Sequence, residues 1–263
     1  MGFFHESLEL WTLGIRNLKR RQFLLKGFAT LSITLILNAC GIKTFSAKHS
    51  TNSDFGDKHL SLEFISIPPA NGQTPTGLIV CLHGFGSNAQ DLASLAPFLN
   101  LPNYQFLFPN APFPHPSVPG GRMWYDLYKP GYPGLMQGRQ QLIDWLKSLE
   151  NSTGVPLSRT ILSGFSQGGA MTLDVGLSLP VAGLVSLSGY LHSQPQLIGT
   201  SSPPVLIAQG RQDQVVPLSA AQRARDSLTA LGLTVTYQEF DMGHEVTPDV
   251  LTLVRRFVMD CLN

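Results

Sequence analysis

The chain has 263 residues, 43% of them hydrophobic and 13% charged, with 18 basic and 17 acidic side chains. That length fits one α/β domain or two smaller ones and suffices to bury a full core, so a disordered chain is excluded. A net charge of +1 leaves no basic excess to neutralise phosphates, and Cys40, Cys81 and Cys261 form no CxxC pair, so nucleic-acid binding, a zinc knuckle and a disulfide scaffold are not indicated.

Residues 1–39 differ from the rest. Arg16, Lys19, Arg20, Arg21 and Lys26 precede an apolar run from Gly27 to Leu37. The run is too short to cross a ~30 Å hydrocarbon core as a helix. A basic start, a short apolar stretch and a small-residue end describe an export signal peptide. Arg20-Arg21-Gln22-Phe23-Leu24-Leu25-Lys26 is similar to a twin-arginine export signal. Leu37-Asn38-Ala39-Cys40-Gly41 is similar to a bacterial lipobox, in which the cysteine is lipidated and becomes the mature N-terminus. The expectation is an exported lipoprotein of the cell envelope, held at a membrane through Cys40; the alternative is an uncleaved amphipathic anchor. Residues 40–58 are polar and poor in large apolar groups, so they read as a flexible tether. The globular domain is expected over 59–263.

From there, strands and helices alternate, which argues an α/β fold with a mainly parallel central sheet and helices on both faces. Leu60–Ile67 alternates apolar and polar residues and reads as an outer strand. Gly77–Leu82 is a continuous apolar run, as a central strand buried on both faces should be. A helix is expected over Gln90–Leu99 and a strand over Tyr104–Phe108. Residues 109–134 form a long loop rich in Pro and Gly, and loops of this length usually carry function. Leu135–Leu149 reads as an amphipathic helix with Leu142, Trp145, Leu146 and Leu149 on one face. Strands follow at Thr160–Ser163, Gly183–Leu187 and Pro204–Gln209, with a helix over Gly168–Leu179 between the first two. A further helix is expected from an N-cap at Ser219 to Gly232, then a strand over Leu233–Phe240. Thr247 caps the last helix and Pro248 takes its first position. Cys81 and Cys261 read as core packers.

Ser163-Gly164-Phe165-Ser166-Gln167-Gly168-Gly169 places Gly-x-Ser-x-Gly between an expected strand and an expected helix, the setting of a nucleophile elbow. Small residues two before and two after Ser166 let strand and helix approach. The helix N-terminus favours negative charge developing there. A serine hydroxyl needs a base, and the base an orienting acid, in the chain order Ser, Asp or Glu, His. His192 and His244 are the histidines that follow Ser166. His244 comes directly after the last strand and Asp213 lies in the loop after Pro204–Gln209, so both fall at strand carboxyl ends. Asp241 reads as a strand-end polar residue and His192 as a surface or pocket-rim group. The oxyanion donors are expected to be the backbone N–H of Gln167 and that of Phe85 in Leu82-His83-Gly84-Phe85-Gly86, with His83 as scaffold. The connection from Leu187 to Pro204 is too short for a large cap, so the lid is minimal. The long loop should then supply substrate contacts through Met123, Trp124, Tyr125 and Tyr128; the alternative is that these aromatics pack the loop onto the domain, and both roles can coexist.

Leu82-His83-Gly84-Phe85-Gly86, Met123-Trp124-Tyr125-Asp126, Gly164-Phe165-Ser166-Gln167-Gly168-Gly169, Gly210-x-x-Asp213-x-Val215-Val216-Pro217 and Gly243-His244 together resemble the phospholipase/carboxylesterase family of α/β-hydrolases, to which acyl-protein thioesterases belong. The resemblance covers about residues 60–263. It implies a cofactor-free serine esterase with Ser166, Asp213 and His244 as triad, Phe85 and Gln167 as oxyanion amides, and Trp124 lining an acyl pocket. After Gly86 the chain departs from the Asp-Thr-Gly of the thioesterases and reads Ser87-Asn88-Ala89-Gln90-Asp91. The expected activity is hydrolysis of small to medium acyl esters or lysophospholipids. A non-catalytic ligand-binding lipoprotein on the same scaffold, or a serine peptidase, are the alternatives.

Overall fold

A computed structural model describes residues 62–196 and 202–263. The expected export signal, the lipidated Cys40 and the tether lie outside the described residues.

Seven strands form one sheet in the spatial order β1-β3-β2-β6-β7-β8-β9. They are β1 (Phe64–Ile67), β2 (Leu78–Leu82), β3 (Gln105–Pro109), β6 (Thr160–Phe165), β7 (Gly183–Leu187), β8 (Val205–Gly210) and β9 (Val235–Phe240). β1 runs antiparallel to β3 and every other neighbouring pair is parallel. Every residue of β2 and of β8 is buried, which explains their unbroken apolar runs. β9 is an edge strand and alternates in exposure over most of its length, as its sequence does.

Alternate residues of the strands face two helical layers. Ile79, Phe106, Ile161, Val185 and Leu206 pack against α1 (Ala89–Ala93), α2 (Ala96–Leu99) and α6 (Pro248–Leu262). On the other face lie α3 (Leu135–Thr153), α4 (Gln167–Gly176) and α5 (Leu218–Ala230); α4 sits so close that a Cβ on Gly176 would meet Leu184 Cδ2 at 2.2 Å. Leu142, Trp145, Leu146 and Leu149 of α3 are buried as their spacing predicts. The expected mainly parallel α/β sheet with helices on both faces is thus the observed one.

Local differences have local causes. The helix expected over Gln90–Leu99 is two short ones, because Pro97 lacks an N–H and can enter a helix only in its first turn, where α2 begins. Asn88, in the segment that departs from the thioesterases, caps α1 by accepting the Asp91 N–H at 3.0 Å. α5 begins at Leu218 after Pro217 rather than at Ser219, with no side-chain cap. The long loop carries a small hairpin of β4 (Phe113–Pro114) and β5 (Arg122–Met123). Its segment Asp126–Pro133 closes on itself, with Asp126 N–H donating to Pro133 O at 3.0 Å. Between Leu187 and Val205 no helix or strand occurs among the described residues. Cys81 is buried, and that burial pushes its thiol up to about 12; Cys261 is half-buried and pushed up to about 11, so neither is a ready thiolate. Among the described residues no helix is long and apolar enough to cross a membrane.

Candidate active site

The turn from β6 into α4 is tight because three glycines leave no side chain in the way. A Cβ on Gly164 would stand 2.3 Å from Gly168 C, and one on Gly168 would stand 2.1 Å from Leu82 O. Between them Ser166 is forced to φ 56° and ψ −119°, a backbone conformation that L residues rarely adopt. Its N–H donates to Leu187 O at 2.8 Å, which locks the turn to the end of β7. The chain enters α4 immediately afterwards, so the Gln167 N–H is one of the four N-terminal amides without a helical acceptor.

Around this turn the expected residues converge. His244 Nε2 lies 2.9 Å from Ser166 Oγ, and His244 Nδ1 lies 2.7 Å from Asp213 Oδ2. The Asp213 side chain is fully excluded from solvent. Burial alone would raise its pKa, but the His244 hydrogen bond and charge, with the Val216 and Val215 N–H groups at 2.8 Å from Oδ1, hold the carboxyl below the usual range. An ionised Asp213 accepts the Nδ1 proton, so Nε2 presents its lone pair to the serine hydroxyl. The acid and histidine loops are zipped together by Gln212 N–H donating to Met242 O at 3.1 Å.

The loop after β2 lies against the serine. A Cβ on Gly84 would sit 3.3 Å from Ser166 Cβ. The next residue is Phe85, whose ring meets His115 edge-on at 4.6 Å between centroids, and Gly86 N–H donates to Arg122 O at 2.9 Å. His83 has the scaffolding position expected of it. It is fully buried, its Nδ1 donates to Gly84 O at 2.8 Å and its Nε2 accepts from Ala111 N–H at 3.0 Å. Burial lowers its pKa to about 4, which keeps it neutral, and those two bonds fix the tautomer.

The expected pocket lining requires correction. Trp124 and Tyr125 have no exposed surface, so they offer no wall to a substrate. Their polar atoms are consumed internally: Trp124 Nε1 donates to His83 O at 3.0 Å, and the Tyr125 and Tyr190 hydroxyls are 2.5 Å apart. Met123 is half-buried at the end of β5, and Tyr128 is exposed within Asp126–Pro133. The long loop does border a cavity of about 560 Å³, but through Pro114, His115, Val118 and Arg122. His192 is not a surface group either: its side chain is 3% exposed, with Nδ1 2.5 Å from Asp174 Oδ2.

Two glutamines escape a motif-based reading. Gln167 is wholly buried, accepting from Trp124 N–H at 2.9 Å and donating to Tyr125 O at 2.8 Å. Gln209, also wholly buried, donates through Nε2 to Asp213 Oδ2 at 3.0 Å and to Val216 O at 2.9 Å. For Gln209 the available signal is a polar residue near the end of an otherwise apolar strand; for Gln167 the motif pointed to its backbone N–H and not to its side chain.

A family model described as Phospholipase/Carboxylesterase matches residues 67–262. Acyl-protein thioesterase 1 of Neurospora crassa is 27% identical over 219 residues, which cover 71% of this chain and 87% of that protein. Among solved structures, esterase PE8 superposes with a TM-score of 0.71 at 30% identity, covering 77% of this chain and 100% of that one. Arabidopsis thaliana SOBER1 superposes with a TM-score of 0.62 at 25% identity, covering 71% of this chain and 99% of that one.

Proposed function

The chain belongs to the phospholipase/carboxylesterase family, and from that premise we propose that it is a serine hydrolase of carboxylic esters, working through an acyl-enzyme on small to medium acyl esters or lysophospholipids. The observation that carries the reading is the continuous relay from Ser166 Oγ through His244 to Asp213, with contacts of 2.9 and 2.7 Å. The hydrolase relatives support the ester or thioester class of substrate.

The steps follow from the geometry. Ser166 Oγ attacks the ester carbonyl while its proton passes to His244 Nε2. Asp213 stabilises the imidazolium so formed. The negative charge that develops on the carbonyl oxygen lies at the N-terminus of α4, within the proposed reach of the Gln167 and Phe85 N–H groups. Collapse breaks the C–O bond, and the His244 proton leaves with the alcohol. Water then repeats the sequence on the acyl-Ser166 ester: His244 takes its proton, the tetrahedral centre collapses, Ser166 is reprotonated and the carboxylic acid leaves.

The test is twofold. A fluorophosphonate should label Ser166 stoichiometrically, and p-nitrophenyl esters of increasing chain length, with a lysophospholipid, should rank the acyl preference. Lack of both labelling and turnover would leave a ligand-binding protein as the reading. The N-terminal address forms a separate part of the proposal, supported by the Arg20-Arg21 pair, the Gly27–Leu37 run and the residues around Cys40. Intact mass of membrane-extracted protein checks it. A mature start at Cys40 carrying more than one acyl chain is expected, since a single chain anchors only marginally.

A further inference from the structure

We propose that Gln209 is a positioning residue for this reaction, the donor that fixes the Asp213 carboxylate in the plane in which it meets His244. The inference rests on the Ser166–His244–Asp213 relay being catalytic. Gln209 is the penultimate residue of β8, four residues before the acid, and no part of it reaches solvent. Its Nε2 donates both to Asp213 Oδ2 (3.0 Å) and to Val216 O (2.9 Å). The Val216 N–H in turn donates to Asp213 Oδ1 at 2.8 Å. One amide therefore braces both ends of the Asp213–Val216 turn.

The orientation of that amide is dictated by chemistry. Turned the other way, its oxygen would face a carboxylate and a carbonyl, and three acceptors would meet with no proton among them. With the nitrogen inward, Gln209 Oε1 is buried and has no hydrogen-bond partner among the described residues. An unpaired buried carbonyl is costly. A side chain serving packing alone would not accept that cost at a position where an apolar residue fits β8. The gain is at the acid. Asp213 Oδ2 divides its lone pairs between His244 (2.7 Å) and Gln209 (3.0 Å), so the carboxylate cannot swing away from the ring, and its basicity toward the imidazole is moderated.

Other charged groups at this edge are otherwise engaged. Arg211 pairs with Glu239 at 3.1 Å and with the exposed Asp241 at 2.7 Å, and Glu245 accepts from Gly243 N–H at 3.2 Å. Asp213 faces His244 from the histidine loop and Gln209 from β8, so beside the Val215 and Val216 backbone amides Gln209 is the neutral side-chain donor through which it can be tuned.

The experiment compares Gln209→Met, similar in length but without donors, and Gln209→Glu with wild type, using one p-nitrophenyl ester across pH, with Ser166→Ala as reference. Gln209→Met should lower kcat about tenfold with KM within about twofold, since orientation is lost and binding is not. The acid limb of kcat/KM should move to higher pH by about half a unit, because an Asp213 relieved of one donor stabilises the imidazolium more strongly. Gln209→Glu, which adds a negative charge, should move it further. In the wild-type protein the Gln209 side-chain amide resonances should shift over the pH range of the acid limb of kcat/KM, a measurement that needs no variant to fold. Unmoved resonances, or a wild-type kcat and acid limb in both variants beside an inactive Ser166→Ala, would overturn the role of Gln209. A Ser166→Ala protein that still turned over would overturn the relay reading itself, a result distinct from either.

Discussion

The backbone N–H of Trp124 donates to the side chain of Gln167 at 2.9 Å, tying the long loop to the residue that follows the serine. The same amide donates to Tyr125 O at 2.8 Å, so one side chain replaces two missing backbone partners in a segment without regular structure. Gln167→Leu keeps the volume and removes both bonds. Two buried backbone groups would then be unpaired, at about 1–3 kcal/mol each. Urea unfolding should show a loss of about 2–6 kcal/mol. A loss under about 0.5 kcal/mol would mean that the loop is held by packing alone.

Asp213 and Asp241 are the two carboxylates weighed for the acid role beside His244, and the structure separates them. Asp213 is excluded from solvent at 2.7 Å from the ring, whereas the Asp241 side chain is 76% exposed and bound to Arg211. Asp213→Asn should lower kcat by about 10⁴, because an amide at that position stabilises the wrong imidazole tautomer and leaves the imidazolium unsupported. Asp241→Asn should cost less than about tenfold, roughly 1.4 kcal/mol of barrier. The reverse ranking would reassign the acid.

Ser166, Asp213 and His244 were legible in the sequence because each is governed by a local rule. Ser166 sits between glycines that a strand-to-helix turn needs, and the other two lie in the loops that follow the apolar β8 and the alternating β9. For Trp124 and Tyr125 the structure selects inward packing over the favoured pocket lining, a choice the sequence left open because an aromatic pair in a loop reads alike in either role. What decides the matter is Gln167 and His83, more than forty residues distant, and local pattern carries nothing about them. His192 was misplaced for the same reason: its partner Asp174 lies on a helix and reaches it only through the packing of α4 on the loop after β7. The parallel sheet was readable from alternating segment types. The break before α2 was readable too, from Pro97, once the position of that proline within a helical run is weighed.

Acid sensitivity should trace in part to His83. Burial holds its pKa at about 4, below the ordinary 6.5 of an unfolded chain. Between those values the unfolded state binds the extra proton, so stability falls as pH drops from about 6.5 toward 4 and levels off below. The slope contributed by one such group approaches about 1.4 kcal/mol per pH unit. His83→Gln has no titrating ring. Its unfolding free energy, measured in urea at pH 7, 6 and 5, should be lower than wild type at pH 7 and flatter with pH. Parallel curves for the two proteins would mean that His83 is charged in the native state, or that its environment is not the buried one described.

The elbow itself can be tested by asking what its strain costs. Ser166 holds φ 56° with ψ −119°, a region in which a Cβ is penalised by about 1–3 kcal/mol. Ser166→Ala keeps the Cβ and therefore the strain. Ser166→Gly removes it, while adding about 0.5–1 kcal/mol of unfolded-state entropy. Both variants lose the hydroxyl and its contact with His244, so those losses cancel between them. Both should lose turnover by a factor on the order of 10³ or more, as should His244→Ala, because nucleophile and base act as a unit. The glycine variant should nevertheless unfold at higher urea than the alanine variant, by about 1 kcal/mol of stability once the entropy term is subtracted. The glycines at 164 and 168 and the Ser166–Leu187 backbone hydrogen bond enforce this conformation in either variant, so the difference reads the strain at one residue. Were the alanine variant the more stable, the turn would be relaxed at residue 166, and the exposure of the serine hydroxyl to His244 would need another cause.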